Sequence, residues 1–221
     1  MNNIAEHNLP ARASINLLAM LLHKLYNVNS LAVWARKTMP PIPDKHLEEK
    51  ILKAAHRLWC TYGEKGLTLR AVAHKAGTTT PTLYKRFRNK AALRVSLAYR
   101  IRDELTADLL SSPSIDDFSR RYLAYVEAHP REYELLSMYW GHFFSSPRPV
   151  RSWLLSQLAA RLGGDPEDYA GVYDAVFLVC HGASTLLTSA PGPNVFEATK
   201  SICLKVCDNL LDNVALLRTA K

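Results

Sequence analysis

The sequence has few of the residue patterns on which catalytic and metal sites usually depend. It holds four cysteines in 221 residues, none of them paired as CxxC, and nine glycines, none in a phosphate-cradling loop. It also has no nucleophile elbow, no metal-protease helix and no convincing run of alternating strand residues. We therefore predict an all-α protein that is not an enzyme and has no catalytic residue, no metal site and no cofactor.

The four cysteines, Cys60, Cys180, Cys203 and Cys207, allow two interpretations. No secretory signal favours disulfides, so the simpler one is reduced thiols of a cytoplasmic protein that serve as small buried hydrophobic residues. However, Cys203 and Cys207 share a helical face, and His181 directly follows Cys180. A thiol-sensing or metal-sensing role therefore stays open as an alternative.

Residues 68–90, TLRAVAHKAGTTTPTLYKRFRNK, have the pattern of two short helices around a tight turn. Thr68 can cap the first helix, and Gly77 can end it because glycine adopts a positive φ without steric cost. Thr79 can cap the second helix, whose first turn tolerates Pro81. This pattern predicts a helix-turn-helix motif, whose second helix enters the major groove of DNA.

The second helix of this motif has one apolar and one polar side. Leu83 and Phe87 are predicted to point inward. Four hydroxyl-bearing or cationic residues remain on the outer surface: Thr80, Thr82, Lys85 and Arg86.

Positive charge is concentrated in the same part of the chain. Residues 44–91 contain eleven Lys and Arg against four Asp and Glu, whereas residues 92–221 contain thirteen against fifteen. A basic module joined to a mildly acidic body indicates that phosphate binding is confined to one domain. We predict a DNA-binding domain over residues 44–91.

From Ile51 to Leu93 the sequence resembles the TetR family of bacterial transcriptional regulators. The shared features are a first helix ending near Gly63, the supporting helix, an Ala-Gly turn, a second helix with Thr-Leu-Tyr and Phe, and a lysine that opens the next helix. The sequence departs from the common pattern at Trp59, Thr78 and Arg86. None of these departures removes a part that the motif needs, and we expect Trp59 to pack in the core.

The resemblance implies a role for individual residues of the motif. Phosphate contacts are implied for Thr68, Tyr84 and Lys90, and Arg86 could add another. Contacts with base edges are implied for Thr80, Pro81, Thr82 and Lys85. Together with the cap residue Thr79, these form the predicted DNA-binding set.

The remaining residues, 92–221, are enough for a second helical domain. Pro, Gly and Ser breaks separate its predicted helices, which are 90–111, 115–129, 131–144, 148–162, 166–189 and 194–218. The last two are the longest and have more than one apolar face. In the family this pair forms a four-helix bundle with its symmetry mate, so the resemblance implies a homodimer that reads a palindromic operator.

Residues 133–144, YELLSMYWGHFF, are unusually rich in aromatic side chains. An aromatic helix is often simply core, but apolar cavities with a few polar groups are typical of small-molecule sites. The predicted ligand-binding residues are Tyr139, Trp140, His142, Phe143 and His181. The resemblance implies a small effector that releases a repressor from its operator, and the residues favour an apolar or amphipathic effector.

Residues 1–43 form an N-terminal extension of uncertain status. It has an apolar helical stripe from Leu17 to Leu25, but polar residues interrupt any run long enough to span a bilayer. Met39 is a possible alternative start, and the competing interpretation is a helix that packs on the body or touches DNA.

Two functional alternatives to a ligand-released repressor stay open. One is an effector-independent architectural DNA-binding protein, and the other is the thiol-sensing or metal-sensing regulator.

Overall fold

A computed structural model of the protein describes residues 45–143, 145–189 and 192–217. In these ranges the chain forms ten α-helices and three short 3-10 helices, with no strand. The prediction of an all-α protein is confirmed. The predictions for residues 1–43 and for a start at Met39 lie outside the described residues.

The helices are, in chain order, α1 (Lys45–Gly66), α2 (Leu69–Lys75), α3 (Thr80–Tyr84), α4 (Lys90–Leu110), α5 (Phe118–Ala128), α6 (Pro130–Ser137), α7 (Trp140–Phe143), α8 (Pro149–Leu162), α9 (Ala170–Thr188) and α10 (Pro193–Asp212). The 3-10 helices are Ile115–Asp117, Pro166–Tyr169 and Val214–Leu216.

Helices α1 to α3 form the N-terminal part of the core. Helix α1 is interrupted at Gly63, whose φ of 61° and ψ of −150° are not helical, as the sequence pattern predicted. Trp59 is only 1% exposed, which confirms its predicted place in the core. The buried apolar residues of α1 to α3 and the segments that join them are Ile51, Ala54, Ala55, Trp59, Leu67, Val72, Ala73, Leu83 and Phe87.

Helix α4 links this part to the rest of the protein. Asn89 caps it, since its Oδ1 accepts a hydrogen bond of 2.8 Å from the Ala92 N–H. One face of α4 is buried along its whole length, through Leu93, Leu97, Ala98, Ile101, Leu105 and Leu109. From His46 onward the chain is one compact unit.

Helix α9 is the centre of the larger part. It packs against α5, α6, α8 and α10. The stretch from Pro166 to Thr188 has a mean hydropathy of 1.4 and is, in the described part of the chain, the one helical stretch long and apolar enough to cross a membrane. Since α9 buries Val172, Val176 and Cys180 against its neighbours, its apolar character is that of a core helix.

The prediction of one helix over 131–144 is wrong. Helix α6 ends at Ser137, and α7 begins at Trp140 after a turn. In the turn the Tyr139 N–H donates to the Leu136 carbonyl over 3.0 Å, and the His142 N–H donates to the Tyr139 carbonyl over 2.9 Å. The aromatic side chains on either side of the turn therefore lie on two differently oriented helices.

The last two helices are shorter than predicted. Residues 166–169 form a 3-10 turn before α9, and α10 ends at Asp212, beyond which the described chain forms another 3-10 turn. Pro166 begins the 3-10 turn before α9 and Pro193 begins α10, which agrees with the predicted breaks.

The buried Trp59 indole provides a test of this packing. Its Nε1–H donates a hydrogen bond of 2.6 Å to the carbonyl of Arg131, at the beginning of α6. Trp59→Phe removes the donor and leaves that carbonyl without this partner, so we expect a loss of about 1–3 kcal/mol in the free energy of unfolding. Urea unfolding followed by circular dichroism measures this loss, and Tyr62→Phe, at a 64% exposed position, is the control.

Candidate functional site

The turn between α2 and α3 has the geometry of a helix-turn-helix motif. Helix α2 ends in a Schellman arrangement: Gly77, with φ of 67°, donates to the His74 carbonyl over 3.2 Å, and Thr78 donates to the Ala73 carbonyl over 2.9 Å. An L-residue with a side chain is strained at this φ, because its Cβ approaches the following carbonyl. Gly77 therefore sets the angle at which the chain enters α3.

Both helices of the motif have the predicted threonine caps. Thr68 Oγ1 accepts a hydrogen bond of 3.1 Å from the Ala71 N–H. Thr79 Oγ1 accepts one of 3.3 Å from the Thr82 N–H and also lies 2.9 Å from the Thr82 hydroxyl. In each helix, one backbone N–H of the first turn thus has a hydrogen-bond acceptor within the protein itself.

Helix α3 buries Leu83 and leaves its polar side accessible. Leu83 is fully buried and Phe87, just beyond the helix, is 4% exposed, whereas Tyr84 is 53% exposed. All nine residues of the predicted DNA-binding set lie on or beside α2 and α3 or at the start of α4. Thr68, Thr79, Pro81, Tyr84 and Lys85 are exposed, and Thr80, Thr82, Arg86 and Lys90 are half-buried.

Lys90 is held by an acidic partner at the break in α1. Its Nζ lies 2.7 Å from Glu64 Oε1 and donates to the Glu64 carbonyl over 3.0 Å, while Arg94 binds the other carboxylate oxygen. The hydrogen bond from Lys90 has the largest effect on the pKa of Glu64 and lowers it, and the hydrogen bond from Arg94 lowers it further. The ion pair places the ammonium group beside the motif and balances part of its charge.

A second cluster joins α1 to the beginning of α6. The Cys60 thiol donates to Glu132 Oε1 over 3.1 Å, and His56 Nε2 lies 3.4 Å from the same oxygen. Burial and the hydrogen bond to Glu132 raise the pKa of Cys60 to about 12. Burial acts to raise the pKa of Glu132, but the effects of His56 and Cys60 outweigh it and lower this pKa to about 2. At neutral pH the thiol is therefore protonated and the carboxylate ionised.

The larger part contains an apolar cavity that opens to solvent. It encloses about 730 Å³ of empty space when the open solvent at its mouth is counted, and its wall is mainly apolar, as is typical of small-molecule sites. Helices α4, α5, α7 and α9, the beginning of α8 and the segment before it form the wall. The lining residues are Arg102, Leu105, Thr106, Leu109, Phe118, Tyr122, Trp140, Phe143, Pro147, Arg148, Pro149, Val150, Tyr173, Asp174 and Phe177.

Two of the five predicted ligand-binding residues, Trp140 and Phe143, line this cavity. Tyr139, His142 and His181 are not among its lining residues, so the cavity contains only part of the predicted set, whose role in ligand binding stays a prediction. The His142 carbonyl accepts a hydrogen bond of 3.1 Å from the Tyr99 hydroxyl, and the rings of Tyr139 and His142 lie 5.4 Å apart. Tyr139 is in the turn before α7, whereas His142 is in α7 itself but is not part of the cavity wall.

His181 lies behind the cavity wall. Its ring is parallel to that of Phe177 at 5.7 Å and edge-on to that of Trp140 at 5.5 Å. Burial lowers the pKa of His181, so the neutral ring can accept at Nδ1 from the Tyr133 hydroxyl over 2.6 Å. Tyr133 is also 3.0 Å from the Tyr122 hydroxyl. His181 therefore supports two aromatic wall residues rather than lining the cavity.

Most of the cavity wall was not predicted from the sequence. Residues of α4 such as Arg102 and Thr106 come from a helix whose periodicity indicates only a buried face. Tyr173 and Phe177 are four residues apart on α9, but this spacing is equally typical of core. Only the packing of four helices brings these positions together.

Three of the four cysteines meet between α9 and α10. The sulfur atoms of Cys180 and Cys207 are 3.7 Å apart, and Cys203 contributes a third thiol within 4.8 Å of both. Hydrogen bonding to Cys203 and Cys207, together with burial, raises the pKa of Cys180 well above its ordinary value. None of the three is more than 2% exposed, which is typical of unreactive core thiols. The burial of these three thiols therefore does not favour the thiol-sensing alternative.

Comparison with known proteins agrees with this architecture. Residues 51–97 match the family model of bacterial regulatory proteins, tetR family. A variant of TetR from Acinetobacter baumannii AYE in complex with minocycline superposes with a TM-score of 0.58 at 18% identity, covering 77% of this chain and 97% of that one. No curated protein sequence matches the chain.

Two further solved structures share the fold. The regulator SCO7222, a TetR from Streptomyces coelicolor, has a TM-score of 0.57 at 19% identity and covers 78% of this chain and 99% of that one. The multidrug binding protein EbrR in complex with proflavin has a TM-score of 0.50 at 19% identity, covering 74% of this chain and 99% of that one.

The fold and the helix-turn-helix geometry define a helical DNA-binding regulator. The match over residues 51–97 places the N-terminal domain among the bacterial regulatory proteins of the tetR family, and the chain is a TetR-like transcriptional regulator.

Lys85 tests the predicted base-reading surface. Because it is exposed at the end of α3, Lys85→Ala should leave the fold intact and weaken specific DNA binding by about 1–3 kcal/mol, with relaxed preference at one operator position. Fluorescence anisotropy on an operator selected from random duplexes, at one stated salt concentration, measures this change. Arg161→Ala makes the same charge change on α8. Equal weakening by both variants would contradict the assignment.

Proposed function

We propose that the protein is a cytoplasmic repressor whose homodimer is released from a palindromic operator when a small amphipathic molecule occupies the aromatic cavity. The cavity is the observation that supports the effector. TetR from A. baumannii with minocycline and EbrR with proflavin show that proteins of this fold bind small molecules. The proposed division is a DNA-binding domain at 44–91 and an effector-binding and dimerisation domain at 92–221, with no cofactor.

The cavity wall favours an aromatic effector that carries a polar group. Its polar side chains are few and include Arg102, Arg148 and Asp174. The Arg102 guanidinium lies 5.3 Å from the centre of the Phe143 ring, and its Nη1 is buried without a hydrogen-bond partner among the described residues. An acceptor group on the effector would satisfy this nitrogen while the ring system packs on Trp140.

Two helices connect the cavity with the DNA-binding part. Helix α4 begins beside Glu64 with Lys90 and lines the cavity with Arg102 and Leu109. Helix α6 begins at the contact with α1 and leads through a turn into α7, which carries Trp140. An effector that moved α7 or the second half of α4 would therefore alter the position of α1 to α3. Release requires only that the effector bind the altered arrangement more tightly.

The dimer interface is proposed on the outer faces of α9 and α10. Tyr173, Val176 and Leu187 of α9 are buried within the single chain. The large exposed apolar residues of the two helices are Leu178, Leu186, Val195, Ile202 and Val206, which we name the apolar patch. Leu178 is 65% and Ile202 is 62% exposed. Because large exposed apolar patches mark interaction sites, a second copy is the occupant that the operator symmetry favours.

Filling the cavity tests the effector site. Thr106→Trp places a large ring at a wall position, so we expect it to keep operator binding but to lose release by compounds that act on the wild type. The measurement is anisotropy of the operator complex titrated with aromatic amphipathic probes, including minocycline and proflavin. Ala107→Trp puts the same ring on the exposed side of α4 as a control. Full release of the Thr106→Trp complex would rule out this cavity.

A charge in the apolar patch tests the interface. Leu178→Glu should shift the protein from a dimer of about twice 24.8 kDa to a monomer, because the carboxylate would be buried against a second apolar face. Light scattering after gel filtration reports the mass. Leu162→Glu, at a 49% exposed position on α8, should stay dimeric. A wild type that is monomeric at all concentrations would contradict the dimer.

A further inference from the structure

The contact between α1 and α6 collects four side chains of the types that bind transition metals. His56 and Cys60 are four residues apart on α1, so their side chains share one face. His129 and Glu132 are three residues apart at the beginning of α6. Two pairs with helical chelate spacing therefore face each other across the joint between the DNA-binding part and the body.

The donor atoms converge on one carboxylate oxygen. Glu132 Oε1 lies 3.1 Å from Cys60 Sγ, 3.4 Å from His56 Nε2 and 3.4 Å from His129 Nδ1. The donor atoms of His56, Cys60 and Glu132 are all within 4.8 Å of one another. With metal–ligand distances of about 2.0–2.3 Å and tetrahedral angles, ligand atoms around zinc are roughly 3.3–3.8 Å apart. The donor atoms of His56, Cys60 and Glu132 thus need only small movements to surround a cation, and the His129 side chain, which contacts Glu132, would have to turn toward the other two.

One of these atoms lacks a hydrogen-bond partner in the part of the chain that the structure describes. His56 Nε2 is buried and makes no aligned hydrogen bond among the described residues, although Glu132 is near. A buried ring nitrogen without a hydrogen bond costs free energy that a coordinated cation would recover. The side chains remain 23% exposed at His56 and 47% at His129, so an ion can enter from solvent.

We propose that His56, Cys60 and Glu132, with His129 as fourth ligand, form a binding site for a divalent transition-metal cation, of which Zn²⁺ is the best match. The donor set of imidazole, thiolate and carboxylate is the one that zinc takes in proteins. On binding, the Cys60 S–H bond breaks, its proton passes to water and the sulfur binds the metal. The Glu132 carboxylate, which accepts a hydrogen bond from the thiol in the metal-free protein, then binds the cation instead. One thiolate and one carboxylate neutralise the two positive charges.

The position of the site gives the metal a structural consequence. Trp59 lies between His56 and Cys60 in the sequence. Its indole N–H already donates a hydrogen bond to the carbonyl of Arg131, the residue before Glu132. A cation would add bonds from α1 to α6 at the same place and fix the orientation of the DNA-binding helices on the body. The bound form would also be more stable, because the ligands are brought together only in the folded chain.

The test is metal binding by the untagged, full-length, chelator-treated protein. We expect one Zn²⁺ per chain after gel filtration, by elemental mass spectrometry, and a rise in melting temperature with added Zn²⁺. Co²⁺ should give the visible bands of a tetrahedral site and a thiolate charge-transfer band. Cys60→Ser should abolish the charge-transfer band, and both it and His56→Gln should weaken Zn²⁺ binding about tenfold or more.

Two matched controls separate this site from other donors. Cys203→Ser alters the buried thiol cluster, and His74→Gln alters an exposed histidine of α2. Both should bind one Zn²⁺ with unchanged affinity and keep the Co²⁺ spectrum. The proposal is overturned if the wild type binds no metal, if Cys60→Ser and His56→Gln bind as the wild type does, or if Cys203→Ser instead removes the charge-transfer band. Circular dichroism of each variant establishes that it is folded.

Discussion

The burial of one face of α4 is the constraint on which the rest of the structure depends. This helix is long enough to belong to both parts of the protein, and its buried residues run from Leu93, beside the DNA-binding helices, to Leu109 at the cavity. Burying each leucine or isoleucine contributes about 1.5–3 kcal/mol. Tightly packed cores respond to change by shifting whole helices, and α4 belongs to both packed regions. The same helix therefore contributes to the core at both ends of the protein.

Helix α6 provides the second connection, and it does so with polar contacts. At its beginning, Arg131 and Glu132 receive hydrogen bonds from Trp59 and Cys60 of α1. At its other end the chain turns into α7, whose Trp140 and Phe143 lie in the cavity wall. The apolar contacts of α4 and the polar contacts between α1 and α6 thus both connect the DNA-binding part with the rest of the protein. The contacts of α4 are many and apolar, whereas those of Trp59 and Cys60 with α6 are few and directional hydrogen bonds.

The sequence predicted the DNA-binding part more fully than the body, for a physical reason. Thr68, Gly77 and Thr79 act through their own backbone neighbourhood, so their caps and turn could be predicted from local chemistry alone. The aromatic run 133–144 depends on distant partners. Tyr133 bonds to Tyr122 and His181, while Trp140 packs against Phe177, and both sets of contacts are possible only if the chain turns between them. Helical periodicity gave no sign of that turn.

By itself, the sequence determined the all-α class, the helix-turn-helix and its basic surface, because caps, helical periodicity and charge depend on residues close together in the chain. Tertiary structure alone decided which aromatic residues line the cavity and which leucines stay exposed on α9. It also brought Cys60 to Glu132, 72 residues away. These outcomes depend on how helices pack against each other, and an amphipathic helix specifies that it has a face to bury without specifying against what.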